Sequence, residues 1–195
     1  RDTLFVCLMH VNNETGEVSD LNRIYDITKA VDTKFFTDTT QSVTKLEVNA
    51  KYFDACVGSA HKFHGPKGVG FLYFKKGDIN LTSQLHGGNQ EYGLRSGTHN
   101  LPAILSMTSQ LELKYHDLNL LWDSMTRHFN LKTNRFIGRC NSGFIKALIF
   151  DKSTDLKILD SSIVYATGSA CNSGVISQSH VYKLLSEYPI IRLSL

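Results

Sequence analysis

The residues that could do chemistry are densest between Ser59 and Gly68, where the sequence reads SAHKFHGPKG. Lys62 follows a strand-like segment and precedes a turn, with the Ser59 hydroxyl and the His61 imidazole just upstream. An aldehyde cofactor that carries a phosphate needs this set, because it takes an amine for a Schiff base and donors for the phosphate. The stretch indicates pyridoxal-phosphate chemistry, and a solvated lysine at a strand end is the plainer alternative.

Two further strand ends carry polar side chains. Asp38 ends the segment Lys34–Asp38, and a carboxylate there can keep a pyridine nitrogen protonated or can cap the following turn. Asn13 lies in an amide-rich loop after residues 4–9, where it could bind a ring oxygen or a substrate carboxylate, or could serve only the turn. The spacing of Asp38 and Lys62, each at the end of a predicted strand, favours cofactor binding over turn capping for Asp38.

The four cysteines are far apart and form no CxxC pair, which argues against zinc and against a disulfide framework. Cys171 lies among small residues in a predicted loop, where a thiol can ionise and reach a substrate. Cys7 and Cys56 fall in apolar strands and are expected to be inert core thiols, whereas Cys140 follows Arg139 and stays a second candidate. Arg192, in the last strand, could clamp a carboxylate or form a surface ion pair.

The elements that must position these residues alternate between strands and helices. Strands are predicted at 4–9, 34–38, 54–59 and 69–74, with a helix from Leu21 that Asp20 caps. This order predicts an α/β fold with a three-layer, mostly parallel sheet and with ligands at the carboxyl ends of its strands.

The second half of the chain reads differently. A long helix is predicted from Pro102 to about Asn130, then strands at 144–150 and 162–166, a helix at 177–185 and a last strand. We therefore predict a large domain over 1–115 and a small α+β domain over 116–195. Both ends look like interrupted strands, so we expect a part of a longer polypeptide.

Composition narrows the class of protein. The net charge of +3 includes no long basic block, so nucleic acid is not expected as a direct partner. No apolar run is long enough for a membrane span, and the first residues lack the order of a signal peptide. The sequence therefore predicts a cytoplasmic protein with no membrane partner.

Taken together, the motifs resemble the cysteine desulfurases, fold-type I pyridoxal-phosphate enzymes that serve iron–sulfur cluster assembly. The matching stretches follow one another along nearly the whole chain: HVNNE from His10, DTTQSV from Asp38, SAHK from Ser59, GPKG from Gly65, HGG from His86, RSGT from Arg95, GSAC from Gly168 and IRLSL from Ile191. The loop after Cys171 is similar to that of the subgroup with a long, mobile cysteine loop.

The resemblance implies a role for each site residue. Lys62 would form the Schiff base and Cys171 would accept the sulfur. Arg192, with help from Asn13, would bind the substrate carboxylate. The remaining cofactor contacts would come from six residues, with Asp38 at the pyridine nitrogen, Asn13 and Gln41 on the ring-oxygen side, Ser59 and His61 at the phosphate, and Thr98 at the phosphate of a neighbouring subunit.

The implied reaction removes sulfur from L-cysteine, giving L-alanine and a persulfide on Cys171. The implied partners are a second copy of the chain and a sulfur-acceptor protein, which could be an iron–sulfur scaffold, a tRNA-thiolation relay or a DNA-phosphorothioation relay. A selenocysteine lyase, another carbon–sulfur lyase of this fold and a non-catalytic scaffold or remnant are the alternatives.

The sequence departs from the family pattern in three respects. The glycine- and threonine-rich phosphate loop and the histidine that stacks on the cofactor belong to a region before Arg1. The segment between Thr98 and Cys171 is about a dozen residues shorter than usual, and Ala60 stands where the family usually has glycine.

Overall fold

The structure, a computed structural model, describes residues 2–77, 79–113, 119–128, 136–138, 142–149, 166, 179–186 and 190–194. Contacts divide the chain into two compact units, one of residues 1–10 and 20–115 and the other of residues 11–19 and 116–195. The sequence predicts a single division after residue 115, whereas the contacts group the loop at 11–19 with the second unit. Each unit is described by itself.

The first unit is built on a four-stranded sheet in the order β1-β2-β3-β4. The strands are β1 (Phe5–Met9), β2 (Lys34–Asp38), β3 (Ala55–Ser59) and β4 (Gly70–Phe74), and helix α1 (Leu21–Ala30) connects β1 to β2. β1 and β2 run parallel, β2 and β3 run parallel, and β4 is antiparallel to β3. The mostly parallel α/β sheet is therefore confirmed, as are its four strands to within one residue at each end.

Local signals in the sequence account for the helix boundaries. Asp20 caps α1 by accepting a hydrogen bond from the main-chain amide of Arg23, as expected. Asn100 caps α2 (Leu101–Leu111) in the same way, and Pro102 occupies its first turn, where the missing N–H costs no hydrogen bond. The long helix predicted to Asn130 is wrong, because α2 ends at Leu111 and residues 112–113 are not helical.

The core of the first unit lies between α1 and the sheet, where Leu21, Phe35, Phe53 and Cys56 pack together. β1 differs from its prediction as a buried strand. Among the described strands it pairs only with β2, at the edge of the sheet, and four of its five residues are exposed. Cys7 is among them, so its assignment as a core thiol is wrong, whereas Cys56 is buried as expected.

The second unit contains α3 (Asn119–His128), β5 (Ile145–Ile149), α4 (His180–Leu185) and β6 (Ile190–Ser194). β5 and β6 form an antiparallel pair, and Ala166 bridges to Arg192 on the other side of β6. The predicted strand at 144–150 and the last strand are confirmed, and the predicted helix at 177–185 is described from His180. The rest of the predicted strand at 162–166 lies outside the described residues. No helix among the described residues is long and apolar enough to cross a membrane.

Candidate functional site

The carboxyl ends of β1, β2 and β3 meet at one edge of the sheet because these three strands run parallel. His10 follows β1 there, and its main-chain amide donates to the carbonyl of Asp38 at the end of β2 (2.9 Å). Ser59 ends β3 and leads into a short 3-10 helix, Ala60–Phe63, that carries Lys62. The fold thus places the predicted carboxylate, hydroxyl and amine on adjacent strand ends.

The segment after β3 presents the amine and the phosphate donors. The Ser59 hydroxyl lies 3.0 Å from Nδ1 of His61, at hydrogen-bonding distance, and Lys62 is half-buried beside them. The turn closes because the amide of Gly65 donates to the carbonyl of Ala60. Ala60 is fully buried, and a Cβ on Gly65 would come within 2.8 Å of its methyl group. Ala60 therefore fits in this turn because the residue next to its methyl group, Gly65, has no side chain.

The turn after β2 is tied to β3. Both the amide and the hydroxyl of Thr39 donate to the carbonyl of Val57 (2.9 and 2.6 Å), and Thr39 is fully buried. Asp38 accepts a hydrogen bond from the amide of Thr40 (2.8 Å), so the turn-capping interpretation also holds. The Asp38 carboxylate remains exposed, and Gln41 is half-buried in the same turn.

Burial disfavours the charged forms of two side chains near this edge. Burial, and then the positive charge of Lys62, lower the pKa of Lys45 to about 8. Burial likewise raises the pKa of the Cys56 thiol to about 11, with a smaller contribution from Asp38. A neutral amine is thus accessible at mildly alkaline pH, while Cys56 remains a protonated, inert thiol.

Thr98 lies at the end of a loop with its own internal bonds. The hydroxyl of Ser96 donates to the carbonyl of His86 (2.9 Å), and the amide of Gly97 donates to the side chain of Gln90 (3.1 Å). Thr98 itself is exposed. Its hydroxyl is therefore open to a group from outside the unit.

Asn13 and Arg192 belong to the second unit, and the structure brings them together. Nη1 of Arg192 donates to the main-chain carbonyl of Asn13 (3.1 Å). The loop holding Asn13 is shaped by Asn12, whose side-chain oxygen accepts from the amides of Glu14 and Thr15. Asn13 is thus fixed through its main-chain carbonyl, a contact that no sequence pattern predicts.

Both thiols proposed as sulfur acceptors, Cys171 and the second candidate Cys140, lie outside the described residues. Their assignments therefore stay predictions from the sequence. The same holds for the loop that follows Cys171 up to residue 178.

Three residues at these sites carry no separate prediction. His10 is buried and its Nδ1 has no hydrogen-bond partner in the described structure, while burial lowers its pKa. Its position directly after β1 is the sequence signal that could have singled it out. Lys45 and Tyr182 offer no such signal, because only the packing reveals their surroundings.

The donor set in the first unit fits pyridoxal phosphate. Lys62 supplies an amine, Ser59 and His61 supply phosphate donors, and Asp38 supplies an exposed carboxylate suited to a pyridinium nitrogen. All four come from adjacent carboxyl ends of a parallel sheet, where α/β folds bind their ligands. A mostly parallel sheet with this site defines the class of fold-type I pyridoxal-phosphate enzymes.

The particular family follows from comparison with known sequences. Residues 1–137 match the family described as Aminotransferase class-V, and the chain belongs to that family. Its members are pyridoxal-phosphate-dependent enzymes.

Curated relatives cover almost all of this chain. The cysteine desulfurase IscS of Dictyoglomus turgidum is 32% identical over 205 residues, a match that takes in 95% of this chain and 51% of the relative. IscS of Psychromonas ingrahamii is 34% identical over 203 residues, with 94% and 49% covered. The chain spans about half the length of the curated relatives it matches.

Solved structures agree on the fold. SspA in complex with cysteine superposes with a TM-score of 0.83 at 28% identity, over 100% of this chain and 59% of that protein. A NifS-like protein superposes with a TM-score of 0.75 at 27% identity, over 100% and 56%.

Proposed function

We propose that this chain belongs to a cysteine desulfurase, which removes sulfur from L-cysteine and leaves L-alanine and a persulfide on Cys171. The proposal rests on one structural observation, which is that Asp38, Ser59–His61 and Lys62 lie at adjacent strand ends. The IscS relatives and the similarity to SspA in complex with cysteine support it.

In this proposal the first unit holds the cofactor. Ser59 and His61 would hold the phosphate, Lys62 would supply the amine for the aldehyde, Asp38 would pair with the ring nitrogen, and Gln41 would contact the ring-oxygen side. When bound, the cofactor supplies an electron sink for the pair left at the substrate's α carbon. The Lys62 amine would act as the base that carries the proton removed from that carbon.

The substrate carboxylate would bind to the second unit. Arg192 already donates one N–H to the Asn13 carbonyl, which orients its guanidinium and leaves further donors for a carboxylate. Asn13 would contact the ring-oxygen side of the cofactor from its anchored loop. The Cys171 thiolate would attack the substrate sulfur, so that an S–S bond forms as the C–S bond breaks, and the substrate carbon would keep that electron pair and take up a proton to give alanine.

The wider assembly is also part of the proposal. The exposed Thr98 would reach the phosphate of a second copy, making a homodimer, and the persulfide would pass to an acceptor protein such as an iron–sulfur scaffold. We place this activity in the cytoplasm. The tRNA-thiolation and DNA-phosphorothioation relays are the other acceptors that the same chemistry allows.

The test is a pair of variants in protein reconstituted with pyridoxal phosphate. Lys62→Ala should abolish the visible absorbance band and the cofactor adduct that borohydride reduction fixes on the Lys62 peptide. Cys171→Ser should retain the band yet stop sulfide release from L-cysteine. A band that survives Lys62→Ala contradicts the cofactor assignment, and sulfide release that survives Cys171→Ser moves the acceptor role to Cys140. Comparing alanine release from L-cysteine and L-selenocysteine separates a desulfurase from a selenocysteine lyase.

A further inference from the structure

Two distant side chains hold consecutive carbonyls of the loop Asn12–Gly16. Arg192 donates to the carbonyl of Asn13 (3.1 Å), and the hydroxyl of Tyr182 donates to the carbonyl of Glu14 (2.9 Å). Gly16 closes the far end of the loop, because its carbonyl accepts from the amide of Ser142. The loop is thus attached to its unit at three successive points.

Tyr182 is well suited to be a permanent anchor. Its side chain is fully buried and packs with Ala147 and Ile190 in the core of the second unit. Burial raises the pKa of Tyr182, the negative charge of Glu14 raises it further, and Arg192 opposes this weakly. The hydroxyl therefore stays protonated and remains a donor throughout the physiological range.

Tyr182 and Arg192 act on the same side of the β5–β6 pair. Arg192 lies directly opposite Ala147, and Ile190 lies opposite Ile149. Directly opposed residues of an antiparallel pair project to the same face, and so do residues two apart along a strand. Tyr182, which packs on Ala147 and Ile190, therefore covers the face from which the Arg192 side chain extends.

The two anchors differ in what a ligand does to them. A carboxylate that binds the remaining donors of Arg192 shares the guanidinium with the Asn13 carbonyl, so ligand binding acts directly on this anchor. The Tyr182 hydroxyl donates to the neighbouring carbonyl, is buried in the core and has no such competitor. When Arg192 turns to a ligand, the Tyr182 hydroxyl still holds the Glu14 carbonyl, which is next to Asn13, and the Ser142 amide holds the more distant Gly16 carbonyl.

We propose that Tyr182 is a positioning residue for carboxylate recognition: it keeps the Asn12–Gly16 loop in place so that Arg192 can engage the carboxylate of an amino acid. This inference rests on the proposed function for the identity of the ligand. The anchoring itself does not depend on the cofactor.

The anchoring is tested by hydrogen–deuterium exchange of the peptide spanning residues 11–18. Its amides bond within the loop, for example Gly16 to the carbonyl of Asn12 and Glu14 to the Asn12 side chain. Tyr182→Phe should speed their exchange roughly fivefold or more, because the buried Glu14 carbonyl loses its donor. Tyr25→Phe is the matched control, since Tyr25 bonds to Lys75 in the first unit, and it should leave this peptide unchanged. Unchanged exchange in Tyr182→Phe overturns the proposal.

The functional consequence is tested with L-alanine, the proposed product, and ethylamine, its counterpart without a carboxylate. In cofactor-loaded protein, Tyr182→Phe should raise the L-alanine concentration that half-saturates the absorbance change roughly fivefold, and leave the ethylamine value unchanged. Equal effects on both amines would reduce Tyr182 to a general structural role. Should Tyr182→Phe not fold, Asn12→Ala, which loosens the same loop, must show the same difference between the two amines. Protein that takes up no cofactor would refute the proposed function, and the exchange experiment would still decide the anchoring.

Discussion

The guanidinium of Arg192 and the main-chain carbonyl of Asn13 are joined by a hydrogen bond of 3.1 Å across 179 positions of sequence. The main-chain N–H and C=O of Arg192 both form hydrogen bonds with Ala166, and Ala147 of β5 lies opposite Arg192 on the other side. One N–H group of the Arg192 guanidinium is thus bonded within the protein, and this bond sets the direction of the remaining guanidinium N–H groups.

We expect Arg192→Lys to raise KM for L-cysteine at least tenfold with a smaller effect on kcat. A lysine ammonium is a point charge that cannot hold the Asn13 carbonyl and clamp a carboxylate in the planar geometry of a guanidinium. Steady-state kinetics of alanine release would measure this. Arg23→Lys, an exposed change on α1, is the matched control and should have no effect. An unchanged KM for Arg192→Lys would remove Arg192 from the substrate site.

Lys45 should react with amine reagents at unusually low pH. Because burial and Lys62 lower its pKa to about 8, its labelling should rise with a midpoint near pH 8, well below the ordinary lysine value of about 10.4. Peptide mass spectrometry after brief reductive methylation would follow it, with the exposed Lys67 as internal comparison. Lys62→Ala should move the midpoint upward only in part, because burial is the larger cause. A midpoint equal to that of Lys67 would show that the Lys45 amine is fully solvated.

Asp54 is a buried carboxylate on which the first unit depends. It accepts hydrogen bonds from the ammonium of Lys29 and from the amide of Phe35, each 2.8 Å long. Burial alone would raise its pKa, but these bonds outweigh burial and lower it. Asp54→Ala should lower the free energy of unfolding by about 3 kcal/mol, because the buried Phe35 amide loses its acceptor.

Urea unfolding monitored by circular dichroism would test this, with the exposed Asp26→Ala as control. Since the folded pKa lies below the unfolded one, the stabilisation is present at neutral pH and is lost as the pH falls below about 4. Asp54→Ala should therefore show a weaker loss of stability in acid than the parent protein. A parallel loss in both would contradict the ion pair.

Gly16 should tolerate no side chain. Its φ is +74°, and a Cβ would lie within 1.9 Å of the Ile145 carbonyl oxygen. Gly77 is a matched control, because its φ is +86° but a Cβ there would meet nothing within 4 Å. Gly77→Ala should cost about 1 kcal/mol from backbone strain alone, and Gly16→Ala clearly more, because the loop must also move away from β5. Equal losses in urea unfolding would show that Gly16 has room.

Much of the first unit could be predicted from sequence because its signals are local. Apolar runs mark the strands, Asp20 and Pro102 mark helix starts, and parallel strands bring Asp38, Ser59 and Lys62 to one edge. The errors arise where burial depends on neighbouring elements: β1 is as apolar as a core strand but pairs with only one of the strands that the structure describes, and Cys7 is exposed. The end of α2 at Leu111 also escaped prediction, since apolar spacing continues past it.

The sequence by itself determined the class of site, because residue types at strand ends dictate which cofactor they can hold. Tertiary structure alone decided how the second set of residues is held. Arg192 donates to the carbonyl of Asn13, and Tyr182 donates to the carbonyl of Glu14. Both acceptors are main-chain groups, which every residue carries and which no sequence pattern distinguishes. Only the folded structure determines which of these identical acceptors forms a hydrogen bond with a distant side chain.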